Sequence, residues 1–197
     1  EAIHFIAQNL ITDAQIIYAK TLLEFYLKDF IGSQYGSNKA NVINTMGTNN
    51  AMLMLVNGAH IEGQEPSIQA QPLYQNEMAV PGHTWYQTNN YNYRDASFEE
   101  ILHMMHDMGI GVDGVNTIPN PALPAYQTEI RAAQENAVDN NYQIWPLGAS
   151  SDPSWYNDLA QENSLSQEYL AALIDVYYGL WGADTESSTH GMNGLYV

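Results

Sequence analysis

Apolar residues recur at helical spacing along much of the chain. Between Thr12 and Ile31, the apolar positions Ile16, Ile17, Leu22, Leu23, Tyr26, Leu27 and Phe30 recur at helical spacing; Thr12 or Asp13 is placed to cap the start and Gly32 to end it. A short helix is predicted over Lys39 to Met46, within a segment rich in Gly, Asn and Ser. The run Ala51-Met-Leu-Met-Leu-Val56, closed by Asn57-Gly58, reads as a buried strand. Leu73 to Val80 reads as a second strand before the turn Pro81-Gly82, and His83 to Tyr93 as a short strand or an irregular loop. Helical patterns follow over Ala122 to Asp139, Trp155 to Glu162 and Ser166 to Trp181. No internal repeat and no linker forces a division. Residues 1–197 are therefore read as a single domain of the α+β class, predominantly α, with a small sheet packed on a central helix. The terminal stretch Gly191-Met-Asn-Gly-Leu-Tyr-Val197 reads as the start of a strand, with further chain expected to follow.

That central helix is Ser97-Phe-Glu-Glu-Ile-Leu-His-Met-Met-His-Asp-Met-Gly109. At about 100° per residue, Glu99, His103 and His106 fall within roughly 60° of one another. Glu100 and Asp107 form the adjoining row, and Phe98, Ile101, Leu102, Met104, Met105 and Met108 cover the other side. Residues one turn apart point the same way, so two of them can grip one ion. A carboxylate on the next row can then take a proton from the attacking water. In the His-Glu-x-x-His arrangement the two imidazoles are ligands and the Glu is the base. The matching window here is Glu99-Glu100-Ile-Leu-His103: Glu100 and His103 fit, Glu99 replaces the first His, and His106 lies on the same face one turn further on. The same residues also admit a local role, because Ser97-x-x-Glu100 has the form of a capping box and acids in a first turn favour the helix dipole.

Composition sharpens the choice. Five basic residues face 22 acidic ones, for a net charge of −17. Nucleic acid and anionic membrane surfaces are poor partners for such a chain, and cations are good ones. No apolar run approaches the roughly 20 residues of a membrane span. Cysteine is absent, so a transition-metal site must use His and carboxylates, which suit zinc; carboxylates and carbonyls alone would suit calcium, with Asp113 and Asn116 in the glycine-rich exit of the helix as candidates. Acidity, few lysines and many Asn, Gln and Ser suggest a secreted or extracellular protein. Glu1 is not an initiator Met, consistent with a start after processing.

A further ligand is expected from Ser166 to Trp181. Most of that helix is apolar, but Glu168 and Asp175 share a narrow stripe with Ala171, Ala172 and Gly179. Small residues let a neighbouring helix approach. If that neighbour is the central helix, Glu168 reaches the ion and Asp175 can hold a ligand imidazole. His4, His60, His83 and His190 are isolated; His83 is the one placed to fold over the site, and Tyr86, Tyr91 and Tyr93 to line a cleft.

The order of elements, Glu-x-x-His on the central helix and Glu168-Tyr169-Leu170-Ala171 on the later one, resembles the gluzincin metallopeptidases of the zincin fold, in particular the catalytic domain of the anthrax lethal factor group. The resemblance covers roughly Leu73 to Trp181, and the family's first His is Glu99 here. It implies a zincin-like fold, zinc held by His103, Glu168 and either His106 or Glu99, Glu100 as general base, and a peptide or protein substrate. The expectation is a secreted zinc-dependent hydrolase, a metallopeptidase. The alternative is a non-catalytic extracellular binding or structural module on a degenerate zincin frame; a third is a calcium-stabilised surface domain.

Overall fold

The structure is a computed structural model and describes residues 2–61, 63–88, 95–114, 118–139, 144–146, 149 and 152–178. Mixed α and β elements follow in the order β1 (His4–Ala7), α1 (Asp13–Leu27), α2 (Ala40–Thr48), β2 (Met52–Val56), β3 (Gln71–Tyr74), α3 (Thr84–Thr88), α4 (Ser97–Met105), α5 (Pro124–Asp139), α6 (Ser154–Glu162) and α7 (Leu165–Tyr178). The three strands form one parallel sheet in the order β1-β2-β3, with His4 opposite Met52 and Leu53 opposite Gln71. Leu53, Leu55 and Leu73 turn to the helices, while Met54, Val56 and Tyr74 form a small cluster on the other face. That alternation is the period-2 geometry of strands.

Local chemistry accounts for most boundaries. Thr12 caps α1 through a full capping box with Gln15: its Oγ1 accepts from the Gln15 N–H at 3.3 Å, and Gln15 Oε1 accepts from the Thr12 N–H at 3.1 Å. The helix ends at Leu27, well short of the expected Gly32. Lys28 turns to an extended conformation, and the Lys39 ammonium donates to the freed Tyr26 carbonyl at 2.6 Å. Pro124 opens α5, where the missing N–H costs nothing. Asn163 ends α6 in the left-handed region at φ 63°.

Three further sequence expectations are corrected. Strand β1, for which the sequence reading made no prediction, is only four residues long. The strand expected over Leu73 to Val80 is only Gln71–Tyr74. Pro72 is tolerated because β3 is an edge, and the chain then tightens into a 3₁₀ turn at Gln75–Glu77 whose Glu77 carboxylate accepts from the Tyr74 N–H at 2.8 Å. His83 to Tyr93 was read as strand or loop, but Thr84–Thr88 is the helix α3. Tyr91, Tyr93 and His190 lie outside the described residues, as do the expected terminal strand and the last turn of the helix read to Trp181.

The third concerns α4. The cap at Ser97 does not form. Ala96 is the N-cap residue and makes no side-chain cap bond, while the Ser97 N–H donates to Asp95 Oδ1 at 2.9 Å. Nor is α4 a surface helix with a wet stripe. Ser97, Glu99, Ile101, Leu102, His103, Met104 and Met105 are all buried, between the sheet, α1 and α7. At its end the chain widens into a π turn, His106–Ile110, closed by the Gly111 N–H to the His106 carbonyl at 2.8 Å. Gly111 leaves at φ 98°, and a Cβ there would stand 2.1 Å from Pro121 Cβ. Among the described residues no helix is long and apolar enough to cross a membrane.

Candidate metal centre

Helices α4 and α7 lie antiparallel. Phe98 at the start of α4 meets Tyr178 at the end of α7 with ring centroids 6.5 Å apart, and the Gln167 amide donates to Asp107 Oδ1 at 2.6 Å at the opposite end. Ala171 and Ala172 are buried in α7 beside this contact and permit the close approach. Between the two ends, Glu99, His103 and Glu168 converge, with one ligand atom from each lying within 4.8 Å of the other two. His103 is 9% exposed and Glu99 7%.

The imidazole sits between carboxylates without a hydrogen bond to them. Nε2 is 3.7 Å from Glu168 Oε1, and Nδ1 is 3.8 Å from Glu100 Oε2. Nε2 is shielded from solvent and has no hydrogen-bond partner. Burial disfavours the imidazolium, but the charges of Glu168, Glu100 and Glu99 outweigh it and push His103 up to about 10. Burial likewise raises Glu168, against the pull of His103 and with the help of the charges of Glu99 and Glu100. Carboxyls gathered round one imidazole repel one another when ionised unless positive charge lies between them. Protons or a metal ion can supply it.

The donor set fits a small divalent cation. Ligand atoms about 2.0–2.2 Å from one tetrahedral ion stand about 3.3 Å apart, so the 3.7 Å between His103 and Glu168 would close by a few tenths of an ångström and the group as a whole, spread within 4.8 Å, would draw in around the ion. Three protein ligands also leave one position open, as in catalytic sites. Calcium fits poorly, since it takes about six to eight oxygens and an imidazole is not among its usual ligands. The other calcium candidate fares no better: Asp113 Oδ1 is taken by the Arg131 guanidinium at 2.6 Å and the Gln127 amide at 2.8 Å, and Asn116 lies outside the described residues.

His106 does not join the group. It stands one turn, about 4.5 Å, further along the axis. There α7 is at its first residues, and Gln127 of α5 fills the space. Gln127 Nε2 donates to Asp113 and to Ser166 Oγ, so its Oε1 accepts from His106 Nε2 at 2.6 Å. The ring is fully buried, and burial lowers it to about 4. Of the two alternatives for the remaining ligand, the geometry brings Glu99 to the cluster and turns His106 away.

Glu100, on the next row, is half-buried and held from the sheet: Gln71 Nε2 donates to its Oε2 at 2.6 Å. Asp175 is buried on α7, and after burial its charge is the largest cause raising the Tyr26 hydroxyl. His83 Nε2 bonds the Asn76 carbonyl at 3.0 Å. A cleft of about 940 Å³ lies alongside, with Gln71, Met104, Asp107 and Gln167 in its walls. Gln71 lines this cleft and also bonds Glu100, the neighbour of the cluster. Neither Gln71 nor Gln127 stood out in the sequence, since an amide becomes informative only when its distant partner is known. No family model, no curated protein and no solved structure matches this chain, so its function rests on the geometry of Glu99, His103 and Glu168 and of Glu100 beside them.

Proposed function

We propose that this protein is a secreted zinc-dependent hydrolase of zincin-like build that cleaves peptide bonds. The observation that carries the reading is the buried, unbonded His103 Nε2 facing the carboxyls of Glu99 and Glu168 from two packed helices. Glu99, His103 and Glu168 would hold the ion. When bound, zinc supplies Lewis acidity, polarising the substrate carbonyl and lowering the pKa of water. Glu100 acts as general base: its Oε2 is fixed by Gln71, and its carboxylate takes the proton of the attacking water and returns it to the leaving amine. The cleft beside Gln71 receives the peptide, with Asn49, Gln71 and Gln167 in its walls.

Elemental analysis of protein purified without added metal tests this. About one zinc per chain is expected by the stoichiometry of a three-ligand site. His103→Ala loses both metal and peptide hydrolysis, and Glu100→Gln keeps the metal while losing hydrolysis. Metal-free protein that takes up no added zinc would overturn the reading.

One observation favours a second reading, a non-catalytic extracellular module. With Glu99 in place of an imidazole, a His103 imidazolium offsets one carboxylate and burial favours the protonated Glu168 carboxyl, which reduces the need for an ion. On that reading His103→Gln costs stability, and no metal is present to be lost.

A further inference from the structure

Behind α4 and α7, on the side away from His103 and Glu168, lies a separate cavity of about 270 Å³. Its walls are mostly apolar: Leu102 and Met105 of α4, Leu170 and Ile174 of α7, Val42 of α2 and Tyr126 of α5. An engineered apolar cavity of about 150 Å³ is enough to bind benzene, so this one has room for a ring and a short side chain. The lip over it is ordered by its own bonds. The Phe30 N–H donates to the Gly36 carbonyl at 2.7 Å, the Gly36 N–H donates to Ser33 Oγ at 3.0 Å, and Tyr35 stacks on Tyr126 at 4.9 Å and 28°.

The polar feature that sets the ligand class is Lys39, one of five cationic side chains among 22 acids. Lys39 lines the cavity, half-buried; its ammonium donates once, to the Tyr26 carbonyl, and its backbone N–H donates to Asp29 Oδ1 at 2.8 Å, which sets a carboxylate near it. An ammonium has three N–H groups, so two remain. A cationic ligand would be repelled there, a neutral one would leave the charge unused, and a multiply charged anion would be opposed by the protein's net charge of −17.

We propose that this cavity binds a small monocarboxylate with an aromatic or aliphatic body, the body seated between α4 and α7 and the carboxylate on Lys39. Such a ligand touches the reverse faces of both helices that carry the metal-ligating residues, and so ties them together. The site does not depend on the metal reading.

The probe is 3-phenylpropionate, compared with its neutral alcohol by calorimetry and by NMR shifts of the cavity residues. The expected result is saturable binding of the carboxylate, roughly tenfold tighter than the alcohol, as one charge-assisted contact allows. Lys39→Gln, which keeps a donor for Tyr26 but removes the charge, should erase that tenfold difference. Ile174→Trp, which fills the cavity, should abolish binding of both probes, and Met105→Phe serves if that variant does not fold. No saturable binding at millimolar probe, binding that survives a folded filling variant, or equal affinity for the acid and the alcohol would each overturn the proposal.

Discussion

Gln71 Nε2 donates to Glu100 Oε2 at 2.6 Å, joining the edge strand β3 to the helix that carries His103. A hydrogen bond to a charged group is worth about 1.5–3 kcal/mol. Gln71→Leu is therefore expected to lower kcat/KM for peptide hydrolysis by roughly tenfold to a hundredfold. Metal content should not change, because Gln71 touches no candidate ligand. Parallel assays of turnover and bound zinc check both halves, and loss of zinc would move Gln71 from holding the base to holding the site.

Metal uptake should release protons. Without metal, the surrounding carboxylates hold His103 up at about 10, so at pH 7 the ring is protonated and must lose that proton to become a ligand. Calorimetric titration with zinc in two buffers of different ionisation heat should show about one proton released per ion, or more if Glu168 also gives one up. Apparent affinity should climb about tenfold per pH unit below neutrality. Uptake without proton release would mean that His103 is not the ligand.

Two variants separate Glu99 from His106. Glu99→Ala should lose zinc, whereas His106→Asn should keep it, since His106 Nε2 is engaged by Gln127. Retention of metal by the first and loss by the second would reverse the assignment.

His106 also predicts an acid limit. Its folded pKa is depressed from 6.5 to about 4, chiefly by burial, so the folded state resists protonation more than the unfolded chain does. The associated stability is intact above 6.5 and is lost as pH falls from 6.5 through about 4. Its size is about 3 kcal/mol, as the shift converts. Urea unfolding at pH 4.5 and pH 7 should show a smaller difference in His106→Asn than in the parent. An unchanged slope would mean that other groups set the acid limit.

Gly111→Ala should destabilise the fold by about 3 kcal/mol, combining an overpacked contact with a left-handed backbone. A Cβ there would be 2.1 Å from Pro121 Cβ, at φ 98°. Thermal unfolding measures it. A loss below ~1 kcal/mol would show that the chain after the π turn can relax.

Some of this was legible in the amino acids alone, because it depends on near neighbours. The helical phase of α4 places Glu99 beside His103 whatever surrounds it, and Ala171 and Ala172 beside Glu168 mark a face meant for close packing. Charge and the lack of cysteine limited the ligand chemistry before any coordinates. What depends on distant partners was not legible. A Ser97 cap looked sound until Asp95 took the Ser97 N–H. His106 shares the stripe with His103, but where it points its nitrogen was decided by Gln127, 21 residues away. Gln71 reaches Glu100 only through the register of β3 against β2 and the packing of that sheet on α4. Helical periodicity is a property of the backbone and travels with the sequence. Which side chains meet across two helices, or from a strand to a helix, is set by how the whole core closes, and that is where Glu168 came to face His103.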